Sequence, residues 1–267
     1  MNKKTVIIGA RGRMGVMFLE RAQKSDIDVA GVDTPLAPQI LAQACAHAGM
    51  VLFCVPAAVL ESALDAVCPH LPAHVVLADI TSVKEYPLQH MQSRWQGPVV
   101  GTHPLFGPAP EPDADLPVAI VPGRSADAAS LTLVETFFTR IGCRVFRTTA
   151  KKHDVAMSRI QGMNFITTLA YFALLAGDDE LLPFLTPSFH RRGMAAKKML
   201  TEDARLFAGL FEANPHSYEA VRLYRQMLNL AAAGDIDLLC EKVQWWWGTN
   251  LVREGGVEPP CRIGAGS

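Results

Sequence analysis

The chain has 267 residues, of which 49% are hydrophobic, so it is long enough for one large domain or two of ordinary size. Its formal net charge of −1 argues against nucleic acid or an anionic membrane as a partner. The six cysteines form no CxxC pair and no ligand-like group with histidine, which predicts a reducing compartment and no metal site. We expect a cytoplasmic protein, because we find neither a signal peptide nor an apolar run of the ~18 residues that a membrane span needs.

The chain begins with the pattern of a dinucleotide-binding fold. The β-branched run Thr5–Ile8 predicts a strand buried on both faces, and it leads into a GxxGxxG turn and then a helix. In that turn Gly9 is expected to make the tight bend, Gly12 to let the backbone approach a pyrophosphate, and Gly15 to let the helix pack close to the sheet. The pyrophosphate would lie at the helix amino terminus, where free N–H groups favour an anion.

A second predicted strand, Ile27–Val32, ends at Asp33, where a carboxylate can accept hydrogen bonds from the adenosine ribose. It would repel a 2′-phosphate, so the sequence favours NAD over NADP. A role for Asp33 as a turn residue before Thr34-Pro35 stays open. The other residues expected beside the cofactor in this part of the chain are Arg11, Arg13, Met14, Val55 and Pro56.

Strand-like and helical runs alternate up to about residue 149, which predicts a Rossmann-type doubly wound α/β sheet. Further strands are expected at Met50–Val55, Val75–Ile80, Pro98–Gly101, Val118–Val121 and Cys143–Phe146. Beyond this point we expect only helices, at 154–176, 191–213, 217–233 and 236–247. We therefore predict a nucleotide-binding domain at 1–150, an all-α domain for substrate binding and dimerisation at 151–250, and a flexible tail at 251–267.

A single histidine follows the fifth predicted strand. Pro104 and Pro108 cannot donate ladder hydrogen bonds, so the sheet should end there. Ligands bind at the carboxyl ends of the strands in an open α/β sheet. We therefore expect His103 on a stiff turn at the mouth of a cleft, with a pKa near neutrality. The alternative is a loop histidine without a chemical role.

These motifs resemble the prephenate dehydrogenase family of tyrosine biosynthesis. The resemblance covers about residues 4–248 and rests on the glycine turn, on three motifs and on shorter matches in the helical half; the motifs are Asp79–Lys84, Gly101–Pro108 and Glu202–Phe207. It implies NAD-dependent oxidative decarboxylation of prephenate to 4-hydroxyphenylpyruvate, in which a hydride leaves ring C4 while carbon dioxide is lost. Arogenate and 4-amino-4-deoxyprephenate remain alternative substrates.

The resemblance also implies roles for individual residues. His103 would accept the proton of the 4-hydroxyl as a general base, and Ser82 would orient the histidine or the hydroxyl, with helix capping as its alternative role. Lys84 would place a positive charge near the cofactor or the substrate, unless it is an exposed helix charge. The substrate-binding residues expected from the resemblance are Gln161, His153, His190, Arg191 and Lys198.

The helical half departs from the family pattern at three positions. Lys198 and His190 stand where the family has arginines, although Arg191 and Arg192 follow His190, and Phe165 stands where it has a second histidine. Lysine lacks the bidentate fork of arginine, so these changes leave the identity of the ring substrate open.

The helices also carry more apolar residues than a domain of ~100 residues can bury, which predicts a homodimer. The candidate residues for its shared core are Phe165, Leu169, Phe172, Leu206 and Leu210. Two other functions compete with the dehydrogenase. A β-hydroxyacid or imine reductase would usually carry a catalytic lysine on the long helix, but the sequence has none between His153 and Ala196. A non-enzymatic NAD-sensing protein would keep the glycine turn without needing His103 and Ser82.

Overall fold

A computed structural model describes residues 4–248, and within this range the amino-terminal part of the chain forms a seven-stranded sheet. The strands are β1 (Lys4–Ile8), β2 (Val29–Val32), β3 (Ala48–Phe53), β4 (Val76–Asp79), β5 (Val99–Pro104), β6 (Pro117–Pro122) and β7 (Arg144–Arg147). Their order is β2-β1-β3-β4-β5-β6-β7, and neighbours are parallel except for the antiparallel pair β5 and β6. The order reverses between β1 and β3, which places the ligand crevice at the carboxyl ends of these strands.

Helices cover both faces of this sheet. They are α1 (Arg13–Lys24), α2 (Pro38–Cys45), α3 (Leu60–Val67), α4 (Glu85–Arg94) and α5 (Ala128–Arg140). Helices α1 and α5 pack on one face, where Phe18 meets Phe138 edge to face at 5.7 Å between the ring centroids. Helices α2, α3 and α4 bury Leu41, Leu64 and Met91 against the other face. The expected Rossmann-type doubly wound α/β sheet, followed by helices, is confirmed.

Strand β5 is longer than the sequence pattern indicates. It continues through Thr102 and His103 to Pro104, because β6 pairs with it in antiparallel register, with His103 opposite Ala119. Proline is tolerated at the end of a strand, so Pro104 ends the ladder as expected. The expectation that His103 sits on a turn is wrong, since this residue lies within the strand.

The chain after β7 is helical in the part that the structure describes. It contains α6 (Ala150–Met157), a π-helical turn (Ser158–Gly162), α7 (Met163–Leu174), α8 (Pro187–Thr201), α9 (Ala204–Ala213), α10 (Ser217–Ala232), α11 (Ile236–Val243) and α12 (Trp245–Gly248). The single helix expected at 191–213 is wrong, because Glu202 and Asp203 separate α8 from α9. Helix α8 starts at Pro187 because the Thr186 hydroxyl caps it, accepting from the Phe189 amide at 3.2 Å.

The chain divides into two compact units between Ser217 and Tyr218. The change from strands to helices falls near residue 150, but α6 to α9 belong to the same unit as the sheet. The predicted tail at 251–267 lies outside the described residues. Within residues 4–248, we find no helix that is both long enough and apolar enough to cross a bilayer.

Candidate active site

The glycine turn after β1 forms a cradle that side chains would fill. Gly9 has a φ of +85°, and a Cβ there would lie 2.5 Å from the Cys54 carbonyl oxygen. A Cβ on Gly15 would collide with the Gly9 carbonyl oxygen, and one on Gly12 would lie 3.2 Å from it. The turn therefore requires glycine at Gly9, where φ is positive, and at Gly15, where the helix meets the loop.

The amino terminus of α1 opens onto this cradle. Gly12 is its N-cap and provides no side-chain hydrogen bond, so the N–H groups of the first helical turn are available to an anion. Val55 lies against the turn, since its Cγ1 would be 2.9 Å from a Cβ on Gly9, and Pro56 follows it on the surface. The close backbone approach and the open helix terminus fit the diphosphate of a dinucleotide. Among the described residues, no group of three or more His, Cys, Asp or Glu side chains could hold a metal ion.

Asp33 lies beside the same turn as a preorganised hydrogen-bond acceptor. Its carboxylate accepts from the amides of Arg11 at 2.7 Å and Thr34 at 2.8 Å, and the Arg11 guanidinium lies 3.5 Å away. Partial burial raises the pKa of Asp33, but the two amides and the guanidinium outweigh it, so the pKa lies below its usual value. The acceptor expected for ribose hydroxyls is therefore ionised at neutral pH.

His103 lies at the centre of the second half of the site. Only 3% of the residue is exposed, and its Nδ1 lies 2.9 Å from Nε2 of His153. Burial, the neighbouring His153 and the Lys84 ammonium together hold the pKa of His103 well below its usual value of 6.5. The expectation of a pKa near neutrality is wrong, because the ring is enclosed rather than solvated.

His153 supports His103 from behind instead of reaching the substrate. It is buried, and its Nδ1 lies 2.7 Å from Oδ1 of Asp154. Asp154 in turn accepts from the amides of Lys84 and Glu85, each at 2.8 Å, and so caps α4 from α6. The prediction that His153 binds substrate needs correction, since both ring nitrogens are engaged inside the protein. Sequence reasoning missed the part played by Asp154, although the adjacent His-Asp pair was a signal for it.

Lys84 is fully buried below the same strand ends. Its Nζ lies 2.5 Å from Oδ2 of Asp79 and 2.6 Å from the Thr102 carbonyl oxygen. The Thr81 hydroxyl also donates to this oxygen of Asp79. Burial lowers the pKa of Lys84, and the Asp79 carboxylate opposes that shift. Lys84 is therefore not an exposed helix charge. The positive charge that was predicted near the cofactor or the substrate is held inside the protein, because the ammonium is hydrogen-bonded to internal acceptors.

A cavity of about 550 Å³ joins the strand ends to the helices that follow. Four of the predicted catalytic and substrate-binding residues line it, namely His103, Ser82, Gln161 and Lys198. The cofactor candidates Arg13 and Met14 line it as well, so the glycine turn opens onto the same space. Asp203 was not predicted as a site residue, but it also lines the cavity and accepts a hydrogen bond from Arg13 at 3.3 Å.

A neighbouring cavity of about 640 Å³ shares Lys198, Asp203 and Phe207 with the first. Arg192 lines it, and the Arg192 guanidinium carbon lies 3.6 Å from the ring centroid of Tyr171. His190 and Arg191 are exposed and line neither of these two cavities. Of the three adjacent residues, Arg192 is therefore the one that faces a cavity here, and the substrate contacts of His190 and Arg191 stay predictions.

Residues 21–147 match the family model for the nucleotide-binding domain of prephenate dehydrogenase. The chain is also 30% identical over 265 residues to the T-protein of Enterobacter agglomerans, covering 94% of this chain and 69% of that protein. The T-protein of Haemophilus influenzae is 26% identical over 260 residues, covering 92% and 67%. The family resemblance inferred from the sequence motifs is confirmed, and with it an oxidoreductase.

Two solved structures share the fold over nearly the whole chain. The arogenate dehydrogenase of Synechocystis has a TM-score of 0.76 and 18% identity, covering 92% of this chain and 98% of that one. The prephenate dehydrogenase of A. aeolicus, in complex with hydroxyphenyl propionate and NAD+, has a TM-score of 0.76 and 17% identity, covering 91% and 95%. At these identities the likeness establishes the fold.

Proposed function

Because the chain belongs to the prephenate dehydrogenase family of oxidoreductases, we propose that it catalyses the NAD-dependent oxidative decarboxylation of prephenate to 4-hydroxyphenylpyruvate. One observation carries the proposal. A buried, neutral histidine, His103, shares a cavity with Ser82 and Lys198, and this cavity opens onto the glycine turn that can hold a dinucleotide.

The residues of the amino-terminal half would hold NAD in two places. The cradle of Gly9, Gly12 and Gly15 at the start of α1 would hold the diphosphate, and the ionised Asp33 would accept from the ribose hydroxyls. NAD, when bound, is the hydride acceptor.

His103 then acts on the substrate as the general base. Its lowered pKa keeps the ring neutral at neutral pH, so it is ready to accept the proton of the C4 hydroxyl as the C4–H bond breaks. C4 thereby becomes a carbonyl carbon, and its hydride would pass to the cofactor. When carbon dioxide leaves, the electron pair of the broken carbon–carbon bond enters the ring and makes it aromatic, and the C4 oxygen takes back a proton as the phenol hydroxyl. Because Nδ1 of His103 is occupied by His153, Ser82 is left to orient the substrate hydroxyl rather than this nitrogen.

Lys198 supplies positive charge for the anionic substrate. Prephenate carries two carboxylates, and Lys198 lines both cavities that they can occupy. Gln161 adds a neutral hydrogen-bonding group to the first cavity, and Arg192 adds a second cation to the other.

A second substrate class is favoured by one feature of the same cavity. Asp203 places a carboxylate on the wall that also carries Lys198, and a carboxylate suits a substrate with an ammonium group. The alternatives are therefore arogenate, with an amino acid side chain, and 4-amino-4-deoxyprephenate, with an amine at C4. His103 would accept a proton from that amine in the second case.

Turnover of the three substrates side by side tests the proposal. The purified protein is incubated with NAD and each compound, NADH formation is followed by absorbance, and the products are identified by mass spectrometry. We expect the highest kcat/KM with prephenate. A preference for an amine-bearing substrate would select the second class, and NAD reduction with none of the three would contradict the dehydrogenase function.

The site is expected to work within a homodimer. Among the candidate core residues, Phe165 is buried and stacks on Phe207 at 5.7 Å between the ring centroids, whereas Leu169 and Leu206 are 41% and 48% exposed. Apolar side chains left on helices that line a site are typical of a surface covered by a second copy. Light scattering at working concentration should give the mass of a dimer, and a monomer would contradict this expectation.

A further inference from the structure

The hydrogen bonds behind His103 run in one line from the start of α4 to the substrate cavity. The Lys84 and Glu85 amides donate to Asp154, Asp154 contacts His153, and His153 contacts His103. The side chains of His153 and Asp154 are 2% and 0% exposed. Since solvent cannot replace any of these contacts, the position of each proton is decided within the line.

The direction of these hydrogen bonds follows from the end of the line at α4, where the donors are backbone amides. A backbone N–H can only donate, and both oxygens of Asp154 receive one, so this carboxylate acts as an acceptor. Nδ1 of His153, 2.7 Å from Oδ1 of Asp154, must then carry a proton. A neutral imidazole holds one proton, which leaves a lone pair on Nε2 of His153.

The same reasoning determines the state of His103. Nε2 of His153 accepts at 2.9 Å from Nδ1 of His103, so Nδ1 of His103 carries its proton. The lone pair of His103 is then on Nε2, the nitrogen that remains for the cavity. This is the nitrogen that a general base must present to the substrate.

We infer that Asp154 and His153 are positioning residues that hold His103 in the tautomer with its proton on Nδ1 and its lone pair toward the substrate. The inference rests on the proposed function, which makes His103 the base. The line is also anchored from the helical side, because Nδ2 of Asn214 donates to the Asp154 carbonyl oxygen at 2.8 Å. When His103 accepts a proton, the charge that develops on its ring is opposed by the Asp154 carboxylate through His153.

The charged groups around the line leave this arrangement intact. Lys84 lies close enough to act on His103, but its ammonium is paired with Asp79 and bonded to the Thr102 carbonyl oxygen. Glu85 contributes its amide to Asp154, whereas its carboxylate is bonded to His216 at 2.8 Å. Asp154 therefore remains the carboxylate that accepts the hydrogen bond from Nδ1 of His153.

Nitrogen NMR on the full chain tests the tautomers without substrate or turnover. In long-range proton–nitrogen spectra of the ¹⁵N-labelled protein at neutral pH, we expect His103 and His153 both as the Nδ1–H form. The spectra of His103→Asn and His153→Gln assign the two signals. A spectrum with His103 as the Nε2–H form would overturn the inference. Because this measurement needs no reaction, it stays decisive if the wild type turns over none of the three substrates.

Kinetics of two variants at His153 supply the second test. We expect His153→Leu to lower kcat by roughly 10²-fold, within the usual range for a positioned acid–base group, with KM and the Kd for NAD nearly unchanged. His153→Gln should retain more of kcat, because its amide oxygen can accept from Nδ1 of His103. Equal loss of kcat in both variants, with a matching loss of Tm, would show a packing role only and overturn the inference.

His216→Gln is the matched control for these variants. His216 also pairs with a carboxylate at the start of α4, at 2.8 Å from Glu85, but it has no contact with His103 in the described structure. It should leave kcat and the NMR signal of His103 unchanged. A loss of kcat equal to that of His153→Leu would assign the effect to α4 and overturn the special role of His153.

Discussion

The substrate cavity has two walls that are built in different ways. The wall at the strand ends carries His103, backed by His153 and by Lys84, and every one of these groups is buried with fixed partners. The wall on α8 carries Lys198, with Arg192 lining the neighbouring cavity, on a helix of fifteen residues in which Ala196 is the one buried residue. The groups around His103 are thus preorganised, whereas the cations proposed to meet the substrate's charges lie on an exposed surface.

This difference separates catalysis from specificity. A buried polar group that loses its partner is costly, so the first wall tolerates little change. Exposed charges are screened by solvent and can be replaced at a smaller cost in free energy. Residues of the second wall, and with them the substrate preference, can therefore change without disturbing the first wall. Two of the three departures from the family pattern, Lys198 and His190, lie on α8 and agree with this division, whereas the third, Phe165, is buried on α7.

The largest effect is expected from the base itself. His103→Asn should lower kcat by roughly 10²–10⁴-fold, because a positioned general base is lost. The Kd for NAD, measured by titration calorimetry, should stay nearly unchanged, since the glycine turn is a separate element. Ser82→Ala, which removes only an orienting hydroxyl, should cost less. Near-normal turnover by His103→Asn would break the comparison, because the buried wall would then not carry the chemistry.

The pH profile provides an independent check on this wall. His103 is proposed to act as the neutral base, and its pKa lies well below the usual 6.5, so kcat/KM should stay flat from above neutrality down to that pKa. Activity should be lost only as the pH falls further and the ring becomes protonated. A limb near neutrality that disappears in His103→Asn would contradict the burial of this ring.

The buried pair below His103 should control stability. Lys84→Met leaves Asp79 without its counter-charge at 0% exposure, so the free energy of unfolding should fall by about 3–5 kcal/mol. Urea unfolding measures the effect, and Lys151→Met, at an exposed position on α6, serves as the control. Equal stability of the two variants would show that the pair is not essential to this wall.

The two walls also differ in how far the sequence predicts them. The glycine turn and the alternation of strands and helices follow local patterns, so the sequence predicts them, as it predicts a histidine near the end of the fifth strand. The burial of Lys84 could not be predicted, because its partner Thr102 is 18 residues away and lies beyond Gly101, where the sequence pattern ends β5. The apolar strand that ends in Asp79 was the available signal, since an acid in such a place needs a counter-charge.

On the exposed wall, the sequence does not show which way each side chain points. The basic run at 190–192 predicts cations near the substrate, but only the path of α8 decides which of them faces inward. Arg192 faces the neighbouring cavity, whereas the resemblance to the family favours His190 and Arg191. Helix periodicity from Lys198 does not select Arg192 either, because Arg191 lies seven residues before Lys198, on the same side of an ideal helix, and yet lines neither of the two cavities.

Lys198 tests the exposed wall directly. Lys198→Ala should raise KM for prephenate by roughly tenfold or more, with a smaller loss of kcat, because a charged contact made in both ground and transition states is removed. Lys197→Ala is the matched control, since this neighbour is exposed and does not line either of the two cavities. An equal KM in the two variants would leave Lys198 as a surface residue and remove the recognition role from this wall.

The smallest effect is expected at the cofactor end, where Asp33 is partly exposed yet held by the amides of Arg11 and Thr34. The wild type should prefer NAD over NADP in kcat/KM, because an ionised carboxylate accepts from ribose hydroxyls and repels a 2′-phosphate. Asp33→Asn keeps an acceptor but removes the charge, so it should reduce this preference by roughly 3–10-fold, mainly by improving NADP. The control is Asp28→Asn, which should leave the preference unchanged. Asp28 is an exposed acid just before β2, at the end of that strand away from Asp33. Equal use of the two cofactors by the wild type would contradict this role of Asp33 and would assign the Arg11 guanidinium, 3.5 Å from Asp33, to the 2′-phosphate instead.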